Sequence, residues 1–413
     1  MRIGINCLSL SPSFVGGLNT FSQGLLDGFA SVAQQHHFRL YATSVNQQLF
    51  QSLRGKNNFE IVALDDRTIA AKKNVCRASL VLASNSLFKS VSDRVFRDVR
   101  RMMDRDNDIL YTPSVVLQSF DSRIPTVLSM HDIQHLHYPQ FFSRPRRLSR
   151  RITYGLSAKY ANFFQASSEF IKSDLLTHFK SISPEQISVI PEGVRVEDFA
   201  KSTNLNGLNE RYALPQKFLL YPAQLWPHKN HMLLLRTLKH IETKHGLRIP
   251  LILTGGKYTA ASTVLRYVAD QSMDYVSYLG KVPFDDLVAL YQRADFLVMP
   301  SLHESNSLPI LEAAAAGTPI IASRIPPNEE LARVLHLNLF DPLNAKDLEE
   351  VLLRLWQDGS VTAAQVLKNR ERIRLFSWEN AAEQYLRLFA NILKDNVNGQ
   401  NGERIIKNVG PYA

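Results

Sequence analysis

Two glutamates, Glu304 and Glu312, lie eight positions apart, a spacing that suggests a role in binding or catalysis. An apolar run ends at Pro300 just before them, and an alanine-rich run that starts near Ser307 carries Glu312. Eight positions of a helix span about 12 Å, more than the ~5–9 Å between two carboxylates that attack one glycosidic bond. The pair is therefore suited to holding two ends of a long ligand. A capping carboxylate beside a helix-face glutamate is the alternative that spacing alone leaves open.

The start of the helix that carries Glu312 predicts an anion site. Its first backbone N–H groups have no partner inside the helix, and the helix dipole makes that end positive. Pro309 fits the first turn, where its missing N–H is not needed. Because a strand leads into this turn, we expect these groups at the carboxyl edge of a parallel sheet, where ligands bind. The residues expected to take part are Ser305, Asn306, Ser307 and Leu308.

Basic and glycine-containing loops supply further candidates for phosphate binding. Lys229 follows a predicted strand, and an ammonium group there can neutralise a leaving phosphate. Gly255 and Gly256 follow the next predicted strand, and Gly16 and Gly17 follow the first strand of the chain, so a nucleotide could approach the backbone closely. A solvated lysine and plain tight turns are the alternatives. Neither glycine pair belongs to a dinucleotide fingerprint or a P-loop.

A histidine completes the candidates for chemistry. His131 lies at the end of a predicted strand, where the reactive groups of parallel sheets collect, although a structural histidine is the alternative. His135 could share a helix face with it and imitate a metal-binding pair. Because no third ligand follows at a suitable spacing, we predict no metal site.

The elements that must position these residues alternate between short apolar strands and amphipathic helices, which is typical of parallel α/β architecture. We predict strands at residues 2–8, 38–43, 59–64, 108–111, 126–130, 163–166, 187–191, 218–222, 250–253, 276–279, 296–299 and 319–322. The main predicted helices are at residues 18–33, 91–103, 169–179, 230–244, 285–293, 307–316 and 345–356. This order predicts two doubly wound, Rossmann-like domains that face each other across a cleft.

Length and composition agree with two soluble domains. The chain has 413 residues, of which 45% are hydrophobic, and it carries a formal net charge of +10, mostly on its N-terminal half. A single core stops growing near roughly 250–300 residues. Two cysteines cannot build a disulfide framework, and no run reaches the ~18–20 apolar residues of a transmembrane helix. The first residues predict a strand rather than a signal peptide, so we expect a cytoplasmic protein.

Two arginine-rich stretches predict contact with an anionic partner. One is a basic amphipathic helix at residues 91–103, and the other lies at residues 144–151. An anionic membrane surface attracts such segments, whereas a solvated face or internal ion pairs are the alternative. Nucleic acid is not expected, because no basic platform with interleaved aromatic residues is present. The arginines concerned are Arg97, Arg100, Arg101, Arg144, Arg146, Arg147, Arg150 and Arg151.

The segment around the two glutamates resembles a known family. Glu304-x7-Glu312, inside Pro-Ser-x-x-Glu…Leu-Pro-Ile-Leu-Glu-Ala-x-Ala-x-Gly-Thr-Pro, resembles the signature of the retaining glycosyltransferases of family 4, which have the GT-B fold. The resemblance extends over residues 218–341 and is looser in the N-terminal half. It implies that Glu312 holds the ribose hydroxyls of a nucleotide-sugar donor and that Glu304 contacts the transferred sugar. It also implies that Lys229 binds the donor diphosphate and that His131 lies at the sugar.

The same resemblance assigns the surrounding loops and shows two departures. It implies that the two glycine pairs approach the donor and that the base lies near Lys281. Gln224 stands where the family has an arginine, and Ser305 and Ser307 stand where it has glycines. Glutamine can only hydrogen-bond to a phosphate, and serine restricts the turn to negative φ. Lys229 and the helix N-terminus would then carry more of the charge that the arginine supplies in the family, or Arg195 or Lys257 would help.

The resemblance implies an enzyme that works without metal or another cofactor. It would transfer a hexose, mannose for preference, from a GDP- or UDP-linked donor to a hydroxyl of a glycan or lipid-linked acceptor in cell-surface polysaccharide assembly. Its place would be the cytoplasm or the cytoplasmic face of the membrane. An inactive, glycosyltransferase-like scaffold subunit and a GT-B-fold nucleotide-sugar epimerase are the alternatives.

The polar composition of residues 201–215 and 396–413 sets the predicted boundaries, and the resemblance assigns the roles of the two domains and of the last helix. An acceptor-binding domain is expected at residues 1–200, a linker at 201–215 and a nucleotide-sugar-binding domain at 216–376. A last helix at 377–395 would cross back to the first domain, and residues 396–413 would form a mobile tail.

Overall fold

The structure, a computed structural model, describes residues 1–12, 17–82, 84–201, 205–357 and 362–397. The chain forms two compact units. The N-terminal unit contains residues 1–193 together with the chain from Trp378 onward, and the C-terminal unit contains Val194–Ser377. The predicted tail at 396–413 lies outside the described residues except for its first two positions.

The N-terminal unit is built on a seven-stranded parallel sheet. In chain order its strands are β1 (Arg2–Asn6), β2 (His37–Thr43), β3 (Phe59–Leu64), β4 (Ile109–Thr112), β5 (Thr126–Ser129), β6 (Phe163–Ala166) and β7 (Ile187–Val189). Its helices are α1 (Gly17–Val32), α2 (Asp66–Ser79), α3 (Asn85–Val95), α4 (Arg97–Asp106), α5 (Gln134–His137), α6 (Arg144–Tyr160) and α7 (Glu169–His178). The strand order is β3-β2-β1-β4-β5-β6-β7.

The C-terminal unit repeats this plan with six parallel strands. They are β8 (Leu219–Pro222), β9 (Leu251–Thr254), β10 (Val276–Tyr278), β11 (Phe296–Met299), β12 (Ile320–Ser323) and β13 (Asn338–Phe340). The helices are α8 (Val196–Ala200), α9 (Leu205–Tyr212), α10 (His231–His245), α11 (Ala261–Asp270), α12 (Phe284–Arg293), α13 (Leu308–Ala316), α14 (Pro326–Ala332), α15 (Ala345–Gln357) and α16 (Thr362–Arg372). The strand order is β10-β9-β8-β11-β12-β13.

Both sheets have the doubly wound order that the alternation predicts. Every residue of β4, β5 and β6 is buried, as is every residue of β9, β11 and β12. Strands of a parallel sheet are buried on both faces in this way because helices cover each side of the sheet. The order reverses between β1 and β4 in one unit and between β8 and β11 in the other. A ligand crevice forms at such reversals, beyond the carboxyl ends of the strands.

The last helix, α17 (Trp378–Val397), belongs to the N-terminal unit although it follows the C-terminal unit in the chain. Trp378 is 4% exposed and lies edge-on to Phe21, with 5.7 Å between the ring centroids. Deeper in the same contact, the Tyr385 hydroxyl lies 3.1 Å from both the Tyr111 hydroxyl and Ser129 Oγ. Helix α17 therefore completes the core of this unit. Within the described part of the chain, no helix is long and apolar enough to cross a membrane.

Three local predictions differ from the structure. The predicted helix at 91–103 is two helices, because Phe96 leaves helical geometry (φ −98°, ψ 11°) and is buried in the core. The predicted linker at 201–215 contains α9, which is held to α12 by Arg211 and by the Tyr212 hydroxyl, both bound to Asp286. Strand β13 was not predicted, because it begins with Asn338, a residue type that is depleted in strands, and has only two apolar residues.

Candidate functional site

A buried ion pair lies at the strand reversal of the C-terminal unit. Lys229 ends the turn after β8, Glu304 lies in the loop after β11, and β8 and β11 are neighbours in the sheet. Lys229 Nζ donates to Glu304 Oε1 at 2.6 Å, and the two side chains are 16% and 9% exposed. The fold thus brings together two residues 75 positions apart that the sequence assigns to one donor.

Hydrogen bonds fix the two loops that carry this pair. The Leu302 N–H donates to the carbonyl of His228 at 2.8 Å, which joins one loop to the other. The Tyr221 hydroxyl, buried in β8, donates to the carbonyl of Lys229 at 2.6 Å. Burial, with the Lys229 charge adding to it, lowers the pKa of His228 to about 2. His228 is therefore neutral near pH 7, and Lys229 supplies the positive charge of this turn.

The second glutamate has a different environment. Glu312 is half-buried in α13, and Oε2 accepts a hydrogen bond of 2.6 Å from the hydroxyl of Tyr291 in α12. Burial raises the pKa of Glu312 above its usual range, and the bond from Tyr291 opposes that rise. A carboxylate oriented by a fixed hydroxyl keeps its other oxygen for a ligand, which suits two charge-assisted bonds to vicinal hydroxyls.

The turn before α13 accommodates the two serines. Ser307 is fully buried at φ −88°, and its Oγ donates to Asn328 Oδ1 at 2.6 Å. In the described part of the chain, the non-glycine residues with positive φ are Ala213, Asn230 and Ser272, so Ser305 also adopts negative φ. The turn therefore forms without glycine.

The donors of this turn are only partly engaged. The Leu308 N–H donates to the carbonyl of Asn306 at 3.1 Å. Asn306 Nδ2 is buried and has no hydrogen-bond partner among the described residues. An orphaned donor at a helix N-terminus fits an anion or sugar hydroxyl there.

The loops after β8, β9 and β10 are joined at the same edge. Gln224 Oε1 accepts from the Gly256 N–H at 2.7 Å, and the Gly255 N–H donates to the carbonyl of Gly280 at 2.8 Å. A Cβ on Gly256 would lie 2.6 Å from Gln224 Oε1 and 3.1 Å from Lys281 Cε. The predicted loop residues therefore lie close together, and Gln224 holds the loop that contains Gly255 and Gly256.

In the N-terminal unit, His131 lies just beyond β5 with two close neighbours. Its Nδ1 is 3.6 Å from Glu192 Oε1, and its ring lies edge-on to Phe21 at 4.6 Å. His131 Nε2 is buried and has no hydrogen-bond partner in the described residues. Gly17 begins α1 with open space around it, whereas Gly16 lies outside the described residues. A carboxylate on one side of the ring and an unpaired nitrogen on the other suit a histidine that meets a ligand.

The sequence reasoning missed Glu192 and Tyr291. Glu192 follows β7 as His131 follows β5, and its position at a strand end was the available signal. Glu192 is 5% exposed, and an acidic residue buried there needs a partner. Tyr291 carries no signal in the sequence, because only the packing of α12 on α13 brings it to Glu312.

The arginines that were predicted to contact a membrane differ in their exposure to solvent. Arg97 and Arg101 are exposed on α4, whereas Arg100 is 10% exposed and is paired with Asp104 at 3.4 Å. On α6, Arg144, Arg146 and Arg151 are exposed, Arg147 is half-buried, and Arg150 lies 4.6 Å from the centre of the Phe142 ring. Contact with an anionic membrane stays a prediction. No cluster of three or more metal-binding side chains occurs among the described residues.

Comparison with known proteins places both units in one family. The profile described as Glycosyltransferase Family 4 matches residues 15–198, and the profile described as Glycosyl transferases group 1 matches residues 216–358. Together the two ranges cover most of the chain.

Several curated relatives are named as mannosyltransferases, and others as D-inositol 3-phosphate glycosyltransferases. O-antigen chain mannosyltransferase B of Escherichia coli is 26% identical over 64% of this chain and 69% of its own length. O-antigen chain mannosyltransferase RfbU of Salmonella typhimurium is 28% identical over 48% of this chain and 52% of its own length. The match with RfbU thus spans about half of that relative.

Solved structures share the whole fold. HepE of Anabaena, solved with UDP and glucose, has a TM-score of 0.70 at 17% identity, with 94% of this chain and 99% of that chain covered. Sucrose-phosphate synthase of Thermosynechococcus elongatus has a TM-score of 0.73 at 17% identity, with 95% and 99% covered. The GT-B fold expected from the sequence is confirmed, and the chain belongs to glycosyltransferase family 4.

Proposed function

We propose that this protein is a retaining hexosyltransferase that uses a nucleotide-diphosphate sugar. The transferred sugar is mannose, the donor is linked to GDP or UDP, and the acceptor is a hydroxyl of a glycan or lipid-linked glycan in surface polysaccharide assembly. The names of the two O-antigen mannosyltransferases support the sugar and the pathway. The UDP and glucose in HepE support a nucleotide-sugar donor.

The observation that carries the proposal is the contact between Lys229 and Glu304. In a retaining transfer, the bond between the anomeric carbon and the phosphate oxygen breaks, and the leaving diphosphate takes the electron pair. The sugar then becomes electron-poor beside an electron-rich phosphate. A cation and an anion 2.6 Å apart can serve the two sides of that one bond, Lys229 at the phosphate and Glu304 at the sugar.

The remaining groups complete the proposed reaction. The acceptor oxygen bonds to the anomeric carbon on the face that the diphosphate leaves, and its proton passes to a leaving phosphate oxygen. No side-chain base is then required. Glu312 accepts the ribose hydroxyls and the turn before α13 donates to the phosphates, while His131 contacts the sugar through Nε2.

The anomeric configuration of the product tests this proposal. The protein is incubated with GDP-mannose, UDP-glucose or ADP-glucose in the presence of EDTA, and the first product is observed by proton NMR. We expect release of one nucleoside diphosphate and a product whose anomeric configuration is that of the donor sugar. An inverted anomer, or turnover only after a divalent metal is restored, would contradict the proposed chemistry. An epimerised sugar would favour the epimerase alternative.

A pH dependence follows from the environment of Glu312. The ionised carboxylate of Glu312 binds the ribose, so nucleotide affinity falls when the carboxylate is protonated. Because the pKa of Glu312 is raised, this loss begins at a higher pH than for an ordinary glutamate. Tyr291→Phe removes the hydrogen bond that lowers this pKa, so the acidic loss of affinity should move to higher pH. Affinity well above the transition should stay near wild type.

Calorimetric titration of a nucleoside diphosphate across pH measures this shift. Tyr275→Phe is a matched control, because it also removes a hydroxyl bound to a glutamate, Glu242, at 3.2 Å. Its profile should coincide with the wild type. Coincident profiles for Tyr291→Phe and the wild type would refute the proposed role of Glu312.

We further expect Glu192 to position and polarise His131. The negative charge of Glu192 lies 3.6 Å from Nδ1 and favours an imidazole that carries positive charge in the transition state. Glu192→Gln keeps the shape and removes the charge, and we expect kcat to fall about 10- to 100-fold with little change in the donor KM.

Rescue by a conservative variant and the split between kcat and the donor KM separate this role from a structural one. Glu192→Asp should recover part of the turnover, while the donor KM stays near wild type in both variants. Exposed Glu185, changed to Gln, is the control in the same unit. Equal kcat values for Glu192→Gln and Glu185→Gln would show that the carboxylate has no part in transfer.

A further inference from the structure

A basic cavity lies in the N-terminal unit, lined by α3, α4, α6 and the segment between β4 and β5. Its volume is about 590 Å³, within the ~300–1,000 Å³ of small-molecule sites. None of the residues assigned above to the donor or to His131 lines it. It is therefore a separate concave surface on this unit.

Cations outnumber acids around this cavity. The cations that line it are Lys89, Arg94, Arg97, Arg100 and Lys159, and the acids are Asp93 and Asp121. The side chain of Tyr160 adds an aromatic wall, with Lys89 Nζ 4.8 Å and Lys159 Nζ 5.5 Å from the ring centroid. Positive charge gathered in a concave site raises the local concentration of anions.

Internal partners account for only part of this charge. Lys89 donates to Asp93 at 2.7 Å, and Arg100 is paired with Asp104 and donates to the carbonyl of Asp121. Arg100 Nε is nevertheless buried without a hydrogen-bond partner among the described residues.

Three further cations of the cavity have no internal counter-charge. In the described part of the chain, Arg94, Arg97 and Lys159 form no ion pair within 4.0 Å. Their positive charge is therefore available to a ligand.

We propose that this cavity binds a phosphate-bearing group. A phosphate monoester carries about −1.5 to −2 charges at pH 7 and three acceptor oxygens. Two arginines can meet it with paired N–H donors, and Lys159 adds a point charge. A free phosphorylated molecule and the phosphate headgroup of a lipid share this chemistry, and the experiment below distinguishes them.

Lysine footprinting measures ligand binding in the cavity and does not depend on sugar transfer. The full-length protein is acetylated with an amine-reactive ester, and the rate at each lysine is measured by mass spectrometry. At ten times its dissociation constant, inorganic phosphate should slow the modification of Lys159 about tenfold. Exposed Lys56, in the same unit and outside the cavity, should react at an unchanged rate.

Two variants and one vesicle series decide the outcome. Arg94→Ala combined with Arg97→Ala should abolish the protection of Lys159, whereas Arg105→Ala, exposed on α4 like Arg97 but outside the cavity, should retain it. Protection by inorganic phosphate supports a free ligand. Protection only by phosphatidylcholine vesicles that contain phosphatidic acid, with the same dependence on variants, supports a lipid headgroup. Absence of protection by both probes, equal protection of Lys56, or equal loss in Arg105→Ala would overturn the proposal.

Discussion

Replacing Lys229 with alanine is expected to reduce sugar transfer by about 10²- to 10³-fold, the usual effect of removing a group that stabilises charge in the transition state. The ammonium that we propose to meet the leaving diphosphate is lost. Glu304, which is 9% exposed, also loses its partner, and breaking a buried pair in this way costs about 3–5 kcal/mol. We therefore expect lower kcat/KM together with a lower melting temperature.

A double variant separates these two effects. Lys229→Met with Glu304→Gln leaves no unpaired charge, so stability should return close to wild type while transfer stays low. Lys239→Ala removes the lysine of a more exposed pair with Glu242 and should cost less than about 1 kcal/mol. Enzyme assays and thermal unfolding on all three proteins measure both quantities. Wild-type turnover in Lys229→Ala would exclude this lysine from the leaving-group site.

Replacing Trp378 with alanine is expected to destabilise the N-terminal unit by about 3–5 kcal/mol, as for other buried aromatic side chains. The ring is 4% exposed and contacts Phe21, which in turn lies against His131. The truncation leaves a cavity between α1 and α17. Urea unfolding measures the loss, and Trp378→Phe should recover part of it.

A matched pair of glycine substitutions tests the same contact without a cavity. A Cβ on Gly28 would lie 2.3 Å from the backbone oxygen of Trp378, so Gly28→Ala should cost about 1–3 kcal/mol. Gly155, also inside a helix, has nothing within 4 Å, and alanine there should stabilise by about 0.5–1 kcal/mol. Equal effects of the two substitutions would show that α17 does not pack on α1 in solution.

The sheet architecture could be predicted because its signal is local. Buried runs such as Phe163–Ala166 and Phe296–Met299 match their predicted bounds, since apolar residues fill the second strand and all of the first except Gln165. The break at Phe96 could not be predicted, because arginines and apolar residues keep helical spacing through it and only burial of the ring in the core ends α3. Strand β13 was not predicted because it consists of Asn338 and only two apolar residues.

The positions of Lys229 and Glu304 at one edge of the sheet could be predicted from the sequence. Lys229 and Glu304 both follow apolar strands, and neighbouring strands brought them together. Gln224 was expected to weaken phosphate binding, and its bond to Gly256 shows a role in loop geometry that spacing cannot reveal. Glu192 meets His131 only because β7 and β5 end on the same edge of the sheet, with β6 between them.

The binding of nucleoside diphosphates to wild type and to Glu312→Ala tests the central claim most directly. Thermal unfolding is followed with UDP, GDP and ADP and with their sugar conjugates, in EDTA, and exposed Glu329→Ala is the control. A nucleotide at a hundredfold excess over its dissociation constant should stabilise the wild type and the control by about 2.7 kcal/mol. The account predicts that one base gives this shift and that Glu312→Ala loses it. No shift with any nucleotide in the wild type would contradict the account and favour an inactive, glycosyltransferase-like subunit.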